Sequence, residues 1–203
     1  HSGAGLQRCV RRAARAASPL GPYTDLGRPL LTDWVSPETG RRVGVIDAGY
    51  YEDDRGQGYL LFKTDGNGAN PREDSIVYAQ RVSADGMSLI AERPTELLRN
   101  DLGWEGDVVE GPWIQRHGGS YYLFYAGNGY ASAAYAVGVA RATSPLGPYV
   151  KKGDPILETN AGWQGPGHCS LAPGPGGELQ MLYHAWYAGR VGGADDEGAA
   201  TPL

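Results

Sequence analysis

The sequence is short of sulfur, of phenylalanine and of positive charge. Its 203 residues include two Cys, two Met and two Phe. Cys9 and Cys169 are too few for a disulfide framework and wrongly spaced for a zinc site. They read as two buried free thiols, with one bridge between them as the alternative. No run approaches 18 consecutive apolar residues, which excludes a transmembrane helix. Eighteen basic residues stand against 23 acidic ones, a net charge of -5, so no broad surface for nucleic acid or anionic membrane is expected. A Gly-rich phosphate loop, an HExxH motif and a Ser-nucleophile elbow are all missing, as is any Asn-x-Ser/Thr acceptor. Asp65-Gly66-Asn67-Gly68-Ala69-Asn70 lacks the spacing and closing Glu of an EF-hand and reads as a solvated loop. The start has no initiator Met. Its basic residues (Arg8, Arg11, Arg12, Arg15) precede no apolar core, so this is no intact signal peptide. Arg11 to Ala17 favours a short helix by propensity alone.

Glycine and tyrosine are plentiful instead, at 32 and 13 residues, within a chain that is 41% apolar and 20% charged. Those values suit a folded protein with many tight turns and amphipathic aromatic surface. Ser18-Pro19-Leu20-Gly21-Pro22-Tyr23 recurs as Ser144-Pro145-Leu146-Gly147-Pro148-Tyr149, and a looser form, Ser83-Ala84-Asp85-Gly86, lies midway. Aromatic-aliphatic runs recur at a spacing of about 60 residues: Tyr59–Phe62, Tyr122–Tyr125 and Leu179–Tyr183. Each follows a hairpin-like turn (Asp53-Asp54-Arg55-Gly56, His117-Gly118-Gly119, Pro175-Gly176-Gly177). The runs are nearly continuous rather than alternating, which suits strands buried on both faces.

A repeat of this length made of four short strands predicts an all-β β-propeller. One blade reads Val43–Ala48, Tyr59–Phe62, Ile76–Val82 and Thr95–Leu98. The next reads Val108–Ile114, Ser120–Ala126, Ala136–Ala142 and Pro155–Leu157. A β-sandwich also has short strands and frequent turns, but does not require one offset to recur at three landmarks. At this spacing the chain holds about three and a half blades. Residues 1–17 stand apart as an atypical segment, 18–190 form the partial propeller, and the Gly-, Ala- and acid-rich 191–203 read as a disordered tail.

The innermost strand of each blade lines the channel. Aligned on the Tyr-rich strands, Asp47, Glu110 and His168 fall at equivalent positions and converge on the axis. Burying unpaired charge is expensive, so ionisable groups there call for a reason. Two carboxylates approaching each other in a dry channel have their pKa values pushed apart, which suits glycoside hydrolysis by an acid and a base. Trp104, Trp113, Tyr130 and Trp163 offer stacking surface for sugar rings, or blade-to-blade packing.

Asp47 in VIDAGYYEDDRGQGYLLF, Glu110 in EGPWIQRHGGSYYLFYAGNGY, and His168 in GPGHCSL followed by YHAW together resemble glycoside hydrolase family 43, as does YAVGVARATSPLGPY. The resemblance runs from about Cys9 to Trp186. It implies a five-bladed propeller that hydrolyses arabinose- or xylose-containing polysaccharides with inversion. By position, Glu110 resembles the general acid and Asp47 the carboxylate that orients it and raises its pKa. Trp113, Tyr130 and His168 are the expected substrate contacts. His168 also resembles the axial histidine beside a central metal ion or its water shell, which implies one calcium in the channel and no organic cofactor. The family's base is an Asp on the first blade's innermost strand. Neither Asp25 nor Asp33 has that context, so the base is expected to be missing from this chain. Where relatives carry a Gly-Val-Ala-type strand before SPLGPY, this chain has Arg11-Arg12-Ala13-Ala14-Arg15-Ala16-Ala17, which puts charge where a buried strand is expected. The implied partner is a carbohydrate, with neither nucleic acid nor membrane. Secreted or periplasmic placement is favoured over cytoplasmic. A carbohydrate-binding or scaffold propeller without turnover, and an inactive truncated product, are the competing readings. Unpaired blades predict aggregation or dependence on the missing ones.

Overall fold

The computed structural model describes residues 11–32, 34–90 and 93–192. Two four-stranded antiparallel meanders form its centre. The first runs β5 (Val45–Glu52), β6 (Gly58–Thr64), β7 (Ile76–Arg81) and β8 (Thr95–Arg99), in that spatial order. The second runs β9 (Val109–His117), β10 (Ser120–Gly127), β11 (Ala136–Ala142) and β12 (Val150–Lys151). Three two-stranded pairs complete the described chain: β1 (Arg11–Arg15) with β2 (Thr24–Leu31), β3 (Trp34–Val35) with β4 (Arg42–Val43), and β13 (Trp163–Pro173) with β14 (Leu179–Tyr187). The inner strands β5, β9 and β13 lie side by side, as in consecutive propeller blades.

The first apolar run, Tyr59–Phe62, is packed on both faces, whereas the third departs from that expectation, with Leu179, Leu182 and Tyr183 exposed because nothing among the described residues covers that stretch of β14. Leu61, Val77, Ala79, Leu97 and Leu98 of the first sheet share one core with Val109, Ile114, Leu123, Tyr125 and Ala140 of the second. The opposite face of the first sheet (Val45, Phe62, Ile76, Tyr78) is covered by Leu31 and Trp34, with the Trp34 ring 5.1 Å from that of Tyr78. Gly118 and Gly119, at φ 54° and 78°, close the β9–β10 hairpin with the left-handed turn that strand twist favours.

Two local expectations are corrected. Arg11–Arg15 is a strand rather than a helix: pairing with β2 supplies hydrogen bonds that outweigh a weak helical preference. The outer strand of the second sheet is Val150–Lys151, and Leu157 makes only an isolated bridge to Val137. The turn from Ser144 to Tyr149 returns the chain to β11 sooner than expected, because it closes on itself through Gly147 N–H to Ser144 O (3.0 Å) and Tyr149 O–H to Pro145 O (3.2 Å). Ser18–Tyr23 closes in the same way, with Tyr23 O–H donating to Pro19 O at 2.7 Å. Both copies of the repeated hexapeptide are therefore self-strapped turns.

Candidate active site

The inner strands carry extra residues relative to their partners: β5 one between Ile46 and Gly49, β9 one between Glu110 and Trp113, and β13 one between Gln164 and Gly167 and another between Gly167 and Ser170. Such bulges bend a strand and re-aim its side chains. The left-handed residues at these bulges are Asp47 (φ 58°), Gly111 (φ 59°), Gly165 (φ 58°) and His168 (φ 50°), and the last lies opposite the Tyr-rich run of β14 as the first two do in their own sheets. Asp and His tolerate that region better than most residues, and their strain there marks a candidate site. The equivalent positions are thus Asp47, Gly111 and His168, with Glu110 one residue earlier. Alignment on the second strands misses this step because the β5–β6 and β9–β10 hairpins differ in length.

The bulges bring three of the expected residues together. The Gly111 N–H donates to Asp47 Oδ2 at 3.0 Å, tying the first carboxylate to the residue after Glu110. A Cβ on Gly111 would sit 3.0 Å from the His168 ring, so only glycine leaves room for the imidazole at this left-handed position. Glu110 itself is held at both oxygens. Tyr135 O–H donates to Oε1 at 2.6 Å, and Lys63 Nζ donates to Oε2 at 3.1 Å. Lys63, 1% exposed, also donates to Asn67 Oδ1 at 3.2 Å and lies 3.7 Å from Asp65 Oδ1. A lysine buried that deeply needs such partners to remain charged.

Tyr135 is fully buried and locks the arrangement to the third pair. Its ring lies against Gly167, where a Cβ would come within 1.9 Å, and stacks on His184 with centroids 5.5 Å apart. Burial first, then the Glu110 charge, hold the phenol far above its ordinary pKa, so it remains a donor. Burial, reinforced by repulsion from His168 and opposed by Glu110, holds His184 below its ordinary value. Lys63, Tyr135 and His184 were not singled out from sequence. Lys63 carried a usable signal, a lone charge ending the run Tyr59-Leu60-Leu61-Phe62; nothing distinguishes Tyr135 from the other tyrosines.

The remaining expected residues make no hydrogen bond to either carboxylate among the described residues. Trp113 pairs opposite Phe124, and its indole N–H is buried without a partner among the described residues. Tyr130 is 62% exposed, and its carbonyl accepts from Trp186 Nε1 at 2.8 Å. Trp104 stacks on Tyr125 (5.8 Å) and donates to Gly153 O, which makes it packing rather than sugar surface. Trp163 stacks on Tyr187 at 4.8 Å. Cys169 is a buried free thiol whose pKa burial pushes up to about 11; Cys9 and Asp33 lie outside the described residues.

The described residues around His168 supply no all-protein cage for the expected calcium. No group of three or more His, Cys, Asp or Glu side chains is gathered for a metal among the described residues. Calcium takes about six to eight oxygen ligands, and a single imidazole supplies none. Among the described residues no helix is long and apolar enough to cross a membrane.

The chain is similar to known proteins along most of its length. The family model described as "Glycosyl hydrolases family 43" matches residues 6–200. The chain is 29% identical over 172 residues to a "Beta-D-galactofuranosidase xynD" of Aspergillus niger, covering 83% of this chain and 44% of that protein. It is 29% identical over 126 residues to an "Extracellular exo-alpha-(1->5)-L-arabinofuranosidase" of Streptomyces avermitilis, covering 57% and 26%. A solved "thermostable family-43 glycoside hydrolase" superposes with a TM-score of 0.73 at 36% identity, over 85% of this chain and 56% of that one. The chain spans less than half the length of both curated relatives.

Proposed function

The chain belongs to glycosyl hydrolase family 43, and from that premise we propose that the whole protein cleaves O-glycosidic bonds in arabinose- or xylose-containing polysaccharides with inversion. Glu110 acts as general acid, protonating the departing oxygen. Asp47 orients the acid through Gly111. A base carboxylate, contributed by a further inner strand, activates water on the opposite face of the sugar, at the separation of about 6.5–9.5 Å that inversion requires. One observation carries the reading: Glu110 is fixed by donors at both oxygens, next to the backbone N–H that Asp47 accepts. Two-point restraint fixes the direction of the carboxyl, and one of the two donors has to release its oxygen for that oxygen to carry the proton to the substrate. The extracellular arabinofuranosidase relative supports the arabinose side and a secreted location.

Leaving groups test the assignment. Glu110→Gln should lower kcat on arabino- or xylo-oligosaccharides by about 10²–10⁴-fold. It should slow hydrolysis of a dinitrophenyl glycoside much less, because that leaving group departs without a proton. Equal losses on both substrates, or retained oligosaccharide cleavage, would remove Glu110 from the role.

A further inference from the structure

A second polar cleft lies at the other end of the same strands. From Glu110 to Arg116 is six residues along β9, about 20 Å at the rise of an extended strand. There the β5–β6 turn of the first sheet faces the turn that follows β11 in the second, which is the second copy of the repeated hexapeptide. Between them is a cavity of about 390 Å³, lined among others by Asp54, Arg55, Tyr59, Arg116, Tyr121 and Ser144. That volume is in the range of small-ligand sites.

Its walls carry charges of both signs, Asp53 and Asp54 beside Arg55, Arg81 and Arg116. Arg116 pairs with Asp54 across the two sheets at 2.6 Å, and its guanidinium lies 5.9 Å from the Tyr121 ring centroid. Tyr121 is held in turn by an edge contact to Tyr51 at 6.1 Å. Asp53 pre-forms the rim, accepting from Arg55 N–H (2.9 Å), Gln57 N–H (3.0 Å) and Tyr59 O–H (3.1 Å). The carboxylates oppose an anion and the guanidiniums oppose a cation. A neutral ligand with several adjacent hydroxyls suits both, since planar guanidinium and carboxylate groups each serve two hydroxyls at once. Arg116 and Asp54 keep 42% and 61% of their side-chain surface exposed, so they can be reached.

We infer that this inter-blade cleft is a second carbohydrate-binding site, separate from the Glu110 site, that takes a pentose oligosaccharide by hydrogen bonding at Arg116, Asp54 and Ser144. The choice of pentose rests on the proposed function; the choice of a neutral polyhydroxylated ligand does not. Such a site would hold polymer against the protein while the channel works on a free end.

The test is titration of the chain with xylotriose and with arabinotriose, followed by amide NMR shifts. Shifts should gather at residues 53–57 and 143–147. Arg116→Ala should weaken that site about tenfold or more, and Glu110→Gln should leave it unchanged. Asp54→Ala serves as the second variant, with dispersed amide spectra confirming that both fold. Shifts confined to Asp47, Glu110 and their neighbours would overturn the cleft while supporting the channel reading. No binding, affinity unchanged in both cleft variants, or displacement by inorganic phosphate would overturn it as well. Hydrolysis assays on the whole protein decide the Glu110 reading separately.

Discussion

The second sheet and the β13–β14 pair are covered very differently. In the sheet, Leu123 and Val109 are fully buried against the first sheet and Tyr125 is 1% exposed, while Val150 at the sheet edge is 73% exposed. In the pair, Leu182 is 55%, Tyr183 44% and Tyr187 56% exposed. Glu110 sits where the two regimes meet. Lys63 reaches it from the well-packed side and Tyr135, braced on Gly167 and His184, from the sparse side. A strained bulge persists only where its surroundings over-determine it. The first interface supplies that rigidity for the half-buried Asp47 and Glu110, whereas His168 is exposed.

The sharpest way to break the comparison is the polar pin of the packed side. Glu105 is fully buried. It accepts from Tyr125 O–H at 2.7 Å, from Lys151 Nζ at 2.7 and 2.8 Å, and from the Asp101 and Leu102 N–H groups at 2.9 Å. Glu105→Ala leaves the Lys151 ammonium buried without its main counter-charge, so a loss of about 3–5 kcal/mol is expected in urea unfolding. A loss under about 1 kcal/mol would mean that the pin is not what holds β12 to the β8–β9 connection.

Matched leucines come next. Leu123→Ala opens a cavity in the shared core and should cost about 2–5 kcal/mol. Leu182→Ala, on β14, should stay within about 0.5 kcal/mol. Leu182→Lys should in addition reduce self-association on size exclusion, because a charge blunts an exposed strand edge. Equal costs for the two leucine truncations would erase the distinction between the sheet and the pair.

Much of the packed side was legible in the sequence, because doubly buried strands leave continuous apolar runs such as Tyr59-Leu60-Leu61-Phe62 that recur with the blade. The first sheet follows the expected strands closely. The site was half legible. Asp47, Glu110 and His168 stand out as ionisable residues on inner strands, yet their true register depends on bulges and hairpin lengths that carry no local signature. Tyr135 and His184 act through contacts between sheets, and sequence spacing does not report those. The repeated hexapeptide was visible, but its work as a self-strapped turn follows only from the Tyr23 and Tyr149 hydroxyl bonds.

The smallest expected effect probes the sparse side through acid. His184 faces Tyr135, His168 and Glu110, and the fold keeps its pKa below the ordinary 6.5. The unfolded chain therefore takes up a proton near pH 6.5 that the folded chain accepts only at lower pH. Stability contributed by the neutral imidazole is complete above that value and is lost as pH falls through the folded pKa. Urea midpoints measured from about pH 7.5 down to about pH 5 should fall slightly more steeply for the natural chain than for His184→Asn. Identical slopes would show that the third pair opens around His184 in solution and that its imidazole is hydrated like any surface histidine. In that case Tyr135 would lose its brace, and the aim of Glu110 would rest on Lys63 alone.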